Sequence, residues 1–259
     1  IWARWMRDRY GAKTERAWKL RFHTQTAGVS LTAQQPHNNV VRTAIEALAA
    51  VLGGTQSLHT NALDEVYALP TAENAEIALR TQQVLMHETG LTDVVDPLGG
   101  SWFVEEMTDR IEARAEALFA EIEEMGGGSM LDGVLVGIAD GWFQGAIADS
   151  AYDFEKAVAS GDRTVVGVNK YTLADEPPIE ILRISQDVEE GQRQALGELR
   201  RDRDSARVEA ALQALQAGAV GTDNLMPLLI EAARARATLG EIVSTLETEF
   251  GRYREPPQV

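Results

Sequence analysis

Cysteine is absent from all 259 residues, so disulfides, thiolate nucleophiles and cysteine metal sites are excluded together. That agrees with a reducing compartment, here expected to be the cytoplasm. Positive charge is scarce: 24 Lys and Arg face 40 Asp and Glu, for a net charge of −16. A nucleic-acid or anionic-membrane surface needs a basic footprint, and both partners are excluded on that ground. No apolar run is long enough to span a bilayer. Histidine is also sparse. His23, His37, His59 and His87 form no His-x-x-x-His or His-Glu-x-x-His pair, so no metal site is expected. A Gly-x-Ser-x-Gly elbow is missing, and Val51-Leu52-Gly53-Gly54-Thr55 lacks the lysine of a phosphate loop, which removes hydrolase and kinase readings.

What remains has the alternation of an α/β protein. Ile1–Lys13 reads as a short amphipathic helix closed by Gly11, and Trp18–Thr26 as a strand running into the loop Ala27-Gly28-Val29-Ser30. A helix is predicted from Pro36 to Gly53-Gly54, a second strand over Thr55–Asn61, and a helix over Glu73–Glu88. Strand–loop–helix repeated in this way is the pattern of a parallel sheet or barrel. After the break at Asp96–Ser101 comes a strong helix that ends at Gly126-Gly127-Gly128, where the first unit is placed to end. The division is therefore 1–127 and 128–259. The second part is predicted mostly helical, with a β-like run at Val165–Tyr171, a Pro177-Pro178 hinge, and long helices over Val188–Ala217 and Leu225–Phe250.

Both strands are polar where a barrel interior is usually bulky and branched. Arg21, His23 and Gln25 share one face of the first, and Gln56, Ser57, His59 and Asn61 dominate the second. Two arrangements fit: edge strands with solvated faces, or inner strands bordering a polar channel. Gly28 is either a turn glycine or a point of close ligand approach. Asp64-Glu65 is either an acid/base pair or a charge at a helix start. His87, beside Glu88 on a helix, reads as a surface residue.

The stretch from Arg21 to Pro70, RFHTQTAGVSLTAQQPHNNVVRTAIEALAAVLGGTQSLHTNALDEVYALP, closely resembles large subunits of the methylmalonyl-CoA mutase family. So do DPLGGSWFVE (Asp96–Glu105), EIEEMGG (Glu121–Gly127) and VGVNKY (Val166–Tyr171), in the same order along the chain. The resemblance implies the carboxyl-terminal part of a (β/α)8 TIM barrel followed by a mostly helical segment. It implies an acyl-CoA substrate threaded through the barrel and adenosylcobalamin as cofactor, whose cobalt–carbon homolysis starts a radical 1,2-rearrangement of the acyl skeleton. By position, His23, Gln25 and Gln56 correspond to substrate contacts, and Gly28, Val29, Glu65, Val66 and Leu69 to cofactor contacts. Val29 stands where many members carry tryptophan, and Val66 where alanine is commoner.

The family's substrate-carboxylate arginine and tyrosine, its catalytic histidine and its Asp-x-His-x-x-Gly cobalamin domain have no counterpart here. The resemblance therefore implies two partners, an upstream half of the barrel and a separate cobalamin-binding small subunit, and no mutase activity from this chain alone. The start at Ile1 reads as truncated or processed, and Phe250–Pro257 as the natural end of such subunits. Methylmalonyl-CoA is the expected substrate. Isobutyryl-, 2-hydroxyisobutyryl- and ethylmalonyl-CoA are alternatives within the class. A non-catalytic remnant or assembly subunit is the alternative outside it.

Overall fold

The computed structural model describes residues 1–254. They form an α/β chain, strongly helical, with two strands that pair in parallel. α1 (Trp2–Arg4) runs directly into a π-helical turn over Trp5–Arg9. Where the sequence predicted one long strand from Trp18, the chain instead forms α2 (Glu15–Trp18), because Thr14 caps it by accepting from the Ala17 amide. The strand shortens to β1 (His23–Gln25). α3 (Asn38–Leu52) crosses over to β2 (Ser57–His59), also shorter than predicted, and α4 (Ala72–Glu88) follows. The pair with its connecting helix is a βαβ unit, since parallel neighbours need a crossover of this length.

α3 is fastened to the ends of the strands by polar stitches. Buried Asn39 donates to Thr32 O and Leu63 O at 2.9 and 3.0 Å, and buried Thr43 donates to Asn61 O at 3.3 Å. Ala47, Leu31, Ala62, Leu63 and Ala78 supply the small apolar core around them.

α5 (Trp102–Met125) and α6 (Met130–Ala139) pack so closely that a Cβ at Gly133 would fall 1.8 Å from Ile122 O. α7 (Trp142–Ser160) continues from α6. The most compact division of the chain falls between Arg183 and Ile184. The Gly126–Gly128 turn lies inside the first unit, because α5 and α6 are held together there. The run Val165–Tyr171 is a turn with an isolated bridge, Val166 to Lys170, and not a strand. Asn169 organises it, its side chain bonding the backbone of Val165, Val158 and Arg163.

In the second unit both long helices expected from the sequence are broken. α8 (Gln186–Asp202) stops before Asp204, which caps α9 (Ser205–Val220) by accepting from the Arg207 amide. α10 (Leu225–Arg234) ends before Arg236, whose φ of +69° leaves the helical region. Thr238 and Glu241 then form a capping box that starts α11 (Leu239–Phe250). Val208, Leu215, Ala219, Ala232 and Ala235 are the buried core of this unit. Among the described residues no helix is long and apolar enough to cross a membrane.

Candidate functional site at the ends of the paired strands

The register pairs His23 with Ser57, Thr24 with Leu58 and Gln25 with His59. Side chains alternate along each strand, so His23, Gln25, Ser57 and His59 share one face, and all four are exposed there. Thr24 and Leu58 point the other way and are half-buried. Across the polar face, His23 Nδ1 lies 2.7 Å from Ser57 Oγ, and Gln25 donates to Asn61 Oδ1 at 3.3 Å.

Gln56 does not join this face. Its carbonyl oxygen accepts from the Phe22 amide at 2.8 Å and its amide donates to Leu20 O at 3.3 Å. The side chain extends the ladder one step beyond the strand, where the two backbones have separated.

At the carboxyl ends of both strands the chain turns into the loops that α/β folds use for ligands. Gly28 begins a 3-10 turn over Gly28–Ser30, held from α3 by Glu46, which accepts from the Ala27 amide at 2.6 Å and from the Ser30 hydroxyl. A Cβ at Gly28 would sit 2.9 Å from Glu65 Oε1 and 3.2 Å from Asn61 Nδ2. A side chain at this position would therefore have to displace the tips of Glu65 and Asn61. Asn61 Nδ2 itself is buried without a partner, an unused donor beside the bare backbone.

The Asp64-Glu65 pair splits by role. Asp64 is fully buried and accepts from the Thr71 amide at 2.9 Å and Asn74 Nδ2 at 2.7 Å, tying the loop to the start of α4. Glu65 is exposed and lines a groove of about 570 Å³ with His59, Leu69, Ala75 and Gln82. Val29 is 96% exposed, and Val66 and Leu69 are exposed as well. The structure thus gathers His23 and Gln25 on the strand face, Gly28 against Glu65, and Glu65 and Leu69 on the groove. His87 is exposed on α4. Ser57, His59, Asn61 and Glu46 were not singled out from sequence as site residues. Counting in twos from His59 could have found Ser57, whereas Glu46 carries no local signal.

The family model described as methylmalonyl-CoA mutase matches residues 1–252. A methylmalonyl-CoA mutase of Cereibacter sphaeroides is 47% identical over 255 residues, covering 98% of this chain and 35% of the relative. The 2-hydroxyisobutanoyl-CoA mutase large subunit of Aquincola tertiaricarbonis is 44% identical over 258 residues, 99% of this chain and 45% of the relative. The probable mitochondrial methylmalonyl-CoA mutase of Caenorhabditis elegans is 43% identical over 254 residues, 98% and 33%. The chain thus spans between a third and a little under half of the length of these relatives. With a family match over nearly all of its residues, this chain belongs to the methylmalonyl-CoA mutase family of isomerases.

Proposed function

We propose that this segment is part of the substrate barrel of an adenosylcobalamin-dependent acyl-CoA mutase that rearranges the acyl carbon skeleton, with methylmalonyl-CoA to succinyl-CoA as the first candidate. The observation that carries this reading is the exposed polar face of His23, Gln25, Ser57 and His59, beside the groove at the strand ends. A polar strand face suits the amide-rich arm of CoA better than it suits a closed apolar barrel. The 2-hydroxyisobutanoyl-CoA specificity of one relative keeps the other acyl groups within the proposal.

In this reading 1–127 contributes barrel strands and helices, and the part from 128 onward is the mostly helical region that follows it in sequence. Large apolar side chains such as Val95 and Trp102 stand exposed, as expected where further barrel elements would cover them. An upstream barrel half and a cobalamin-binding small subunit are the partners proposed to complete it.

The residues at the strand ends fit the cofactor. Gly28 leaves a cradle that a Cβ would fill, Asn61 Nδ2 offers an unpaired donor, and Val29, Val66 and Leu69 present apolar surface. Bound there, adenosylcobalamin would supply the radical chemistry. The chain's own work is to bind and orient. Gly28 admits a flat group to the backbone, Glu65 and Asn61 offer polar contacts, and His23 and Gln25 fix the thioester arm.

The test is an isomerisation assay on the complete protein with adenosylcobalamin and its small subunit, offering methylmalonyl-, isobutyryl-, 2-hydroxyisobutyryl- and ethylmalonyl-CoA in turn. Interconversion of one of them is expected. Failure with all four, in a preparation that binds cobalamin, would contradict the proposal.

A further inference from the structure

The contact between His23 and Ser57 is not needed to hold the sheet together. The two strands are already fixed by their ladder, by Thr24 donating to Thr55 Oγ1 at 2.8 Å, and by Gln56 on the Phe22 amide. Yet His23 Nδ1 and Ser57 Oγ meet at 2.7 Å on the exposed face, directly across the pair. Among the described residues, His23 is the side-chain partner of that hydroxyl. Gln25, the next residue on the same face, is engaged with Asn61 and does not compete for the ring.

A neutral imidazole has one donor nitrogen and one acceptor nitrogen, and the partner of one decides the role of the other. We infer that Ser57 is a positioning residue for His23: its hydroxyl donates to Nδ1, so the ring carries its proton on Nε2 and presents a donor from the strand face. This rests on the proposed role of His23 toward the CoA thioester and adds what sets the ring's proton. A thioester oxygen can only accept. With the proton on Nε2 the ring can donate to it; with the proton on Nδ1 a lone pair would face that oxygen and repel it. One hydroxyl at the right register position therefore separates a productive ring from an unproductive one.

The experiment uses the complete mutase with its cofactor and compares Ser57→Ala, Ser57→Thr, His23→Ala and the Ser57→Ala/His23→Ala double variant. Nitrogen-15 NMR of histidine-labelled enzyme, at a pH where the ring is neutral, reads the His23 tautomer, assigned by the signal lost in His23→Gln. The proton is expected on Nε2 in the wild type and Ser57→Thr, and on a mixture of both nitrogens in Ser57→Ala. The alanine variant should lose roughly ten- to a hundredfold in kcat/KM, as when a partner orienting a ligand histidine is removed, and threonine should restore most of it. Added to His23→Ala, Ser57→Ala should cost nothing further. A wild-type proton on Nδ1, or a Ser57→Ala loss of equal size without His23, overturns the inference. If His23→Ala keeps full turnover, the thioester role falls. An Nε2 proton that depends on Ser57 in the enzyme that keeps His23 would then locate the failure in the role and not in the contact.

Discussion

His23 and Gly28 place opposite demands on their positions, one for a particular ring and the other for the absence of any side chain. A preorganised donor on a developing or polarised oxygen contributes about 2–4 kcal/mol to catalysis. Replacing His23 by alanine in the complete enzyme should therefore lower kcat/KM by that amount, read from steady-state kinetics, while unchanged turnover would remove it from the site. Gly28→Leu should abolish cobalamin binding, because its side chain would strike Glu65 and Asn61 before any ligand reached the backbone. Spectroscopic titration with cobalamin measures this, and an unaltered affinity would make Gly28 a turn glycine only. His87→Ala, on the outer side of α4, is the matching control and should leave activity where it was. Residue identity was legible here from the motif, but the partner of each residue was not. Gln56 stands in the right segment and yet turns to the Phe22 amide, since register against β1 decides its face and register is set by the partner strand.

Helix contacts carry their own tests. Where α5 and α6 pack, Gly133 leaves no room for even one methyl against Ile122 O. Gly133→Ala should force the helices apart at a cost of about 1–3 kcal/mol, measured as a lowered denaturant midpoint. In the second unit, Arg203, with its side chain 10% exposed, pairs with Glu241 through its two terminal guanidinium nitrogens, Nη2 and Nη1, at 2.5 and 2.7 Å. The Arg203 hydrogen bonds, with help from Thr238, hold the Glu241 carboxyl well below its ordinary value of 4.5, down to about 2. A depressed carboxyl stabilises the fold fully above its unfolded value. That contribution should be present at neutral pH and lost as pH falls from about 4.5 toward 2. Glu241→Gln should cost about 1–3 kcal/mol at pH 7 and flatten that part of the acid profile in thermal melts. An unchanged profile would mean the pair contributes nothing.

The same stretch shows why helix limits were harder to read than helices. Leu225 to Phe250 carries a continuous apolar stripe, and its periodicity masked the Thr238-Leu239-Gly240-Glu241 capping box that the sequence displays openly. Asp204 was equally visible as a cap and equally masked. The β-like run at Val165–Tyr171 misled for another reason: the valines favour a strand, but Gly167 at φ +84° and the Asn169 side chain close it into a turn.

Across the whole molecule, the α/β grammar and the βαβ unit were legible because α3 and α4 are long and α3 is strongly periodic. The strands were overextended, since polar residues such as Arg21 and Thr55 carry no pattern that marks where pairing stops. The site itself was legible in part. His23 and Gln25 share a strand face, Gly28 lies beside Glu65, and Glu65 and Leu69 line one groove, whereas Ser57, Asn61 and Glu46 enter through contacts that only the folded chain makes. The polar strand face and the glycine cradle at its end carry the account, and a crystal structure of the complete protein with an acyl-CoA bound tests both at once. The thioester oxygen should lie about 2.7–3.2 Å from His23 Nε2, with the CoA arm along β1 and β2 and the cofactor against Gly28. A CoA arm bound elsewhere, with the His23–Ser57 face in contact with protein instead, would contradict it.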